Sequence, residues 1–178
     1  MCGIGGWVLP SQIVNGCDLN SCLDCIRHRG PDDKGVFSET IDSSEFSIGL
    51  GHRRLSILDL EGGVQPMQSP DRKCTVVFNG EIYNFLSLRG ILEDSGHVFS
   101  TKSDTEVLLN SYLEWGVGMI EKIKGQFSFA IWDSEQNRLL LARDHFGLKP
   151  LYFSRVGRGL VFASEVKAIL EMPVSCDF

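Results

Sequence analysis

At 178 residues the chain has the length of one ordinary domain, large enough to bury a core and too short for two generous ones. With 43% hydrophobic and 22% charged residues it fits neither the disordered nor the fibrous classes. Lys plus Arg number 17 and Asp plus Glu 23, a net charge of −6 with no basic run to track phosphates, which argues against nucleic acid as a partner.

The opening apolar stretch lacks a basic leader and ends at Pro10, and no run of about eighteen apolar residues occurs, so neither a secretory signal nor a membrane span is expected. The expected compartment is the cytoplasm. There the six cysteines, Cys2, Cys17, Cys22, Cys25, Cys74 and Cys176, are expected as reduced thiols.

In chain order, residues 3–9 read as a buried strand and residues 19–28 as a short helix. Pro31 disfavours helical geometry at the residue before it, which makes residues 29–33 a loop. Strand-like runs follow at 35–40, 46–51, 55–58 and 73–78, separated by turn-rich pieces such as EGGVQPMQSPD. Residues 83–94 place Phe85, Leu88, Ile91 and Leu92 on one helical face, and Ser95-Gly96 stops that helix. Ser103-Asp104-Thr105-Glu106 has capping-box spacing and opens a second helix that ends near Gly116. An amphipathic piece at 119–123 precedes two hairpins, GQFSFAIWD with RLLLARD about SEQN, and LYFSR with GLVFAS about residues 156–158. Helices flanking many strands, without βαβ alternation, predict layered α+β packing.

The first residues carry the chemistry. If Met1 is removed, Cys2 holds a thiol and a free α-amino group on one residue. That amine, with an ordinary pKa of roughly 7.7 to 8.0, can relay the thiol proton at neutral pH. Such a nucleophile attacks carbonyl compounds through a covalent acyl intermediate. The plain alternative is a small buried hydrophobe in a strand. A different class is also open, because Cys17, Cys22 and Cys25 have the C-x4-C-x2-C spacing of plant-type [2Fe–2S] ferredoxins, with Cys74 as fourth ligand. Cys22 and Cys25, however, lie one turn apart in an ordinary helix, and the four histidines lack zinc-ligand spacing.

Seven motifs in one order decide between these readings: MCGI, RHRGPDD (27–33), GHRRLSILD (51–59), FNGEIYN (78–84), SDTEV (103–107), ARDHFGLKPLY (142–152) and ASEVKAIL (163–170). Together they resemble the N-terminal glutaminase domain, of the class II glutamine amidotransferase type, of glutamine-hydrolysing asparagine synthetases. The resemblance runs from residue 1 to about residue 170. It implies an N-terminal-nucleophile hydrolase fold, a four-layer αββα sandwich of two antiparallel sheets. It makes residues 1–170 the glutaminase domain and 171–178 a tail leading to a synthetase domain that this sequence does not include.

The resemblance also assigns roles. Cys2 is the nucleophile toward the side-chain amide of glutamine, while the Asn79 amide and the Gly80 N–H form the oxyanion hole. Taken alone, Asn-Gly reads as a hairpin turn. Arg54 holds the substrate α-carboxylate, and Glu81 and Asp104 hold its α-ammonium. Only alignment with the Leu-Ser-Ile that follows selects Arg54 over Arg53. Arg29, Gly30, Pro31 and Asp32 shape the loop near the nucleophile, and ARDHFGLKPLY lies toward the partner domain.

No cofactor or metal is expected in this chain, with ATP and Mg reserved for the synthetase domain. The expected partners are glutamine, an ATP-dependent synthetase domain in cis or in trans, and a second copy in a homodimer. The acceptor of the ammonia stays open between aspartate and another carboxylate. A glutamine-binding module without turnover is the remaining alternative.

Overall fold

The computed structural model describes residues 1–14, 18–41, 45–55 and 63–172. The elements are β1 (Gly3–Pro10), a single helical turn α1 (Ser11–Val14), α2 (Leu19–Cys25), a 3-10 turn Arg27–Arg29, β2 (Asp33–Thr40), β3 (Phe46–Arg54), β4 (Met67–Gln68), β5 (Cys74–Ile82), α3 (Phe85–Asp94) and α4 (Asp104–Trp115). A 3-10 stretch Gly116–Glu121, β6 (Gly125–Asp133), β7 (Arg138–Arg143), β8 (Tyr152–Val156), β9 (Gly159–Ala163) and α5 (Val166–Leu170) complete the chain.

The strands form two sheets, one in the order β2-β3-β1-β9-β8 and one in the order β4-β5-β6-β7, with every pairing antiparallel. Strand alternation sends successive side chains to opposite faces, and here each face has its own apolar layer. Ile4, Ile48, Leu50, Val77, Ala130, Trp132 and Phe162 pack between the sheets. Trp7 and Leu9 face outward under α2 and α5 with Leu23 and Ile169. Val76, Phe78, Phe129 and Ile131 face outward on the second sheet, under α3 and α4 with Leu92 and Leu108. The result is the expected αββα sandwich, held by three apolar layers. No helix among the described residues is long and apolar enough to cross a membrane.

Several boundaries move from the sequence reading. The first helix ends at Cys25 rather than residue 28, because the chain tightens into the Arg27–Arg29 turn before Pro31. The predicted loop over 29–33 is correspondingly short, since β2 starts at Asp33. Strand β5 continues past Phe78 to Ile82, and the Tyr83 N–H still donates to Lys124 O at 2.7 Å, so α3 starts at Phe85. On α3, Leu88 and Leu92 are buried but Ile91 is exposed, being about 100° around the helix from Leu92. The turn-rich stretch after residue 62 contains the short strand β4. The strand expected at 55–58 lies outside the described residues apart from Leu55, which follows the end of β3. Both hairpins form as read.

Candidate active site

Cys2 precedes β1 by one residue. Alternation gives it the parity of Ile4, whose side chain lies between the sheets. Its Sγ accepts the Leu55 N–H at 3.4 Å, and its carbonyl accepts from Arg29 Nε at 3.0 Å. Arg29 also reaches Glu165 at 3.2 Å, and the same carboxylate takes His28 at 2.8 Å and Lys167 at 3.2 Å. Burial would raise the Glu165 pKa, but the bonds from His28, Arg29 and Lys167 outweigh it and hold the group below its ordinary value. Arg29 therefore anchors the backbone of the candidate nucleophile, a job beyond the loop-shaping read from sequence. Gly30 lets this loop pass: a Cβ there would lie 2.4 Å from the Arg53 carbonyl.

Opposite lies the free edge of β5. Beyond β4, β5 pairs only with β6, and its even-numbered residues turn their N–H groups out of that ladder. Phe78 N–H donates to Gln65 Oε1 at 2.6 Å, and Ile82 N–H donates to Asp104 Oδ2 at 3.1 Å. Between these two capped donors stands Gly80, whose N–H has the same outward parity. Beside it Asn79 is buried on the inter-sheet face with Nδ2 unpartnered. A buried donor without a partner costs about 1–3 kcal/mol, so the Asn79 amide marks a place where a ligand can complete the bonding. Asn79-Gly80 is strand, not hairpin turn. A Cβ on Gly80 would lie 2.3 Å from Gln126 O, which excludes any other residue without a shift of β6.

Parity places the two arginines on opposite faces of β3. Arg53 turns outward onto α2, donating to Leu23 O at 3.1 Å and pairing with Asp24. Arg54 has the inward parity of Ile48 and Leu50 and is buried at the end of β3, next to Cys2 in the sheet register. Glu81 is exposed near the end of β5, and Asp104 opens α4 close to it. Burial raises the Asp104 pKa against the bonds from Ile82 and from the helix's own N–H groups, and the neighbouring Glu81 charge raises it further. Two carboxylates crowded together in this way favour a cation between them. The cap of α4 differs from a reciprocal box. Ser103 Oγ accepts from Glu106 N, but the Glu106 carboxylate turns back to the Ser100 and Thr101 N–H groups at 2.8 and 2.7 Å.

His52 sits between these halves, 1% exposed, on the inward face of β3. Burial pushes its pKa down to about 4; a hydrogen bond to the Phe78 backbone carbonyl and the Asp33 charge oppose that shift, while the Arg54 charge adds to it. An unfolded histidine titrates near its ordinary 6.5. Protons therefore bind the unfolded chain first, and stability present above pH 6.5 is lost as pH falls toward 4. The loss attributable to His52 reaches at most about 3 kcal/mol. Urea unfolding at pH 7 and pH 4.5 should show His52→Phe less acid-sensitive than the parent; equal slopes would exclude this origin.

The cysteine-cluster alternative does not match the packing. Cys22, on the buried face of α2, lies outside the first sheet and Cys74 outside the second, on opposite flanks of the sandwich, so Cys74 cannot complete a set with Cys22 and Cys25. Burial pushes both thiols, Cys22 and Cys74, up to about 12. Cys17 lies outside the described residues. In ARDHFGLKPLY, Asp144 is buried and its carboxylate collects the N–H groups of Phe127, Phe146, Leu148 and Lys149 at 3.0–3.2 Å.

The profile of the glutamine amidotransferase domain family matches residues 1–177. Asparagine synthetase [glutamine-hydrolyzing] 3 of Bacillus subtilis is 42% identical over 177 residues, covering 97% of this chain and 28% of that protein. Asparagine synthetase [glutamine-hydrolyzing] 2 of the same organism is also 42% identical, over 97% of this chain and 23% of its own length. A fungal protein, amidase chry2 of Gibberella zeae, is 35% identical over 96% of this chain and 26% of its own length. The chain thus spans about a quarter of these relatives. Among solved structures, glutamine phosphoribosylpyrophosphate amidotransferase from B. subtilis superposes with a TM-score of 0.74 at 23% identity, covering 98% of this chain and 44% of that one. A structure described as the allosteric regulatory enzyme of purine biosynthesis gives 0.75 at 23% identity, over 99% of this chain and 44% of that one. These two share its fold. With a profile match along virtually its whole length, the chain belongs to the glutamine amidotransferase domain family.

Proposed function

We propose that this domain hydrolyses the side-chain amide of glutamine to glutamate and ammonia, with Cys2 as nucleophile. The observation that carries this reading is the buried, unpartnered Asn79 Nδ2 beside the outward-facing Gly80 N–H, on the stretch of β5 whose flanking donors are capped. After removal of Met1, the α-amino group takes the thiol proton as Sγ attacks the amide carbon. The carbonyl oxygen gains the electron pair and receives the two donors. The amino group then protonates the departing nitrogen, ammonia leaves, and a glutamyl thioester remains. Water attacks the thioester, Sγ departs, and glutamate is released.

Arg54 holds the substrate α-carboxylate bidentately, and Glu81 with Asp104 holds the α-ammonium. A misfit substrate without an α-carboxylate would leave the buried Arg54 without that ligand, which makes the site selective. The ammonia serves ATP-dependent amidation of aspartate in a synthetase domain, where ATP and Mg would bind. This part of the reading is supported by the greater length of the relatives. The apolar surface of Phe146, 90% exposed, with Leu148, Tyr152 and Phe153, suits a covering domain. A reducing, cytoplasmic setting suits a free thiol nucleophile.

Glutamate release from glutamine by the Met1-processed protein tests the reading. Asn79→Ala should lower kcat about 10²- to 10³-fold while KM moves little, because the lost donor acts on charge that develops only in the transition state. No glutamate release by the parent protein would favour a binding module without turnover.

A further inference from the structure

We propose that Glu165 is a positioning residue for the glutamine reaction, holding the backbone of Cys2 through Arg29 so that thiol and α-amine keep their alignment. The inference rests on the hydrolase reading above. Cys2 precedes β1, and the β1–β3 ladder begins only at Gly3 opposite Arg53. Once Met1 is removed, Cys2 is the chain terminus, and a terminus frays unless something ties it down. A nucleophile that carries its own base cannot fray freely, because an error of about 1 Å in placement costs on the order of 100-fold in rate. The tie is at its carbonyl, which accepts from Arg29 Nε at 3.0 Å.

Arg29 can hold that carbonyl only if it is itself held. Its stem runs along Gly3, where an added Cβ would lie 3.5 Å from Arg29 Cβ and Cδ, and its side chain is 9% exposed. A guanidinium taken this far out of water needs a counter-charge, and Glu165 supplies it, with Oε1 3.2 Å from Nη1. The same oxygen meets His28 Nε2 at 2.8 Å, and Oε2 meets Lys167 Nζ at 3.2 Å, so the carboxylate is itself held at both oxygens. Glu165 also follows directly on Ser164, whose N–H donates to Ile4 O at 2.8 Å and whose hydroxyl accepts the Ile4 N–H at 2.9 Å. The β1–β9 ladder stops at Gly5 opposite Ala163. Ser164 carries that partnership on to Ile4, and Glu165 carries it, by way of Arg29, to the terminal residue. The last of the seven motifs, ASEVKAIL, thereby gains a part in the reaction that is exerted through another side chain.

The test compares Glu165→Ala with Glu165→Gln, which keeps an acceptor at Oε1, and with Lys167→Ala, which removes the partner from Oε2 and leaves the Arg29 contact in place. The readouts on Met1-processed protein are glutamine kinetics and the rate at which an aminopeptidase trims Cys2, followed by intact mass. Glu165→Ala should lower kcat about 10- to 100-fold with KM within about threefold, and trimming should become severalfold faster. Glu165→Gln should reverse most of both effects, and Lys167→Ala should match the parent. Unchanged kcat and trimming in Glu165→Ala would overturn the proposal. So would a Glu165→Gln no better than Glu165→Ala, or a Lys167→Ala as impaired as Glu165→Ala, which would describe a diffuse charge effect. If Glu165→Ala does not fold, Arg29→Lys, which keeps a cation for Glu165 but lacks Nε, severs the same link and is read by the same two measurements. A parent protein without glutamine turnover would sink the hydrolase reading, while the trimming rates would still decide whether Glu165 holds Cys2.

Discussion

Replacing Cys2 with alanine should reduce glutamine hydrolysis by about 10⁴-fold or more, with glutamine binding retained. The thiol is the one group for which the site offers no substitute. In the proposed mechanism Gly80 and Asn79 stabilise charge and Arg54, Glu81 and Asp104 hold the ends of the substrate, and Cys2 alone is assigned the acyl intermediate. The hole and the end contacts remain, so calorimetry should still register glutamine. A sample that retains Met1 should lose turnover too, because its α-amino group then sits one residue away from the thiol it must deprotonate. Intact mass with a glutamine-analogue diazoketone separates these cases. Processed protein gains one adduct, Cys2→Ala gains none, and an adduct on Cys2→Ala would remove Cys2 from the mechanism.

Asp144→Ala should destabilise the domain by about 3–5 kcal/mol, a drop of roughly 10 °C in Tm for a chain of this size. One carboxylate serves four N–H groups, two of them on Phe127 and Lys149, which are themselves buried. Alanine would strand those donors together. These bonds hold the Asp144 pKa low against its burial, so acid should reproduce part of the loss as the carboxylate is protonated. Asp144→Asn keeps one acceptor oxygen and should recover part of the stability. A melting temperature unchanged in Asp144→Ala would show that this loop contributes little to the fold.

Much of this was legible in the chain because local and global preferences agree. Alternating apolar runs defined the hairpins, and the motif order identified the family before any contact was known. The sequence reading fell short where a decision depended on distant residues. Arg53 and Arg54 are chemically identical, and only the presence of Leu23 and Asp24 on the outer face of the sheet tells them apart. Asn79-Gly80 carries a turn signature, yet β6 claims it as strand across residues 125–128. Arg29 and His52 looked like ordinary polar residues in motifs. Arg29 acquires its place from partners at Cys2 and Glu165, and His52 from its burial between the sheets, which no local spacing reveals.

Those long-range partners also set an order of events as the protein is made. The first residues of the domain depend on residues about 160 positions further along. Ser164 bonds the Ile4 backbone through both its N–H and its hydroxyl, and Glu165 holds the arginine that grips Cys2. While the ribosome is still short of β9, the thiol has neither its flanking strand nor its anchor. Cys2, synthesised early, is seated only once residues 159–165 have been made, so a nascent chain short of β9 carries this cysteine outside its finished site.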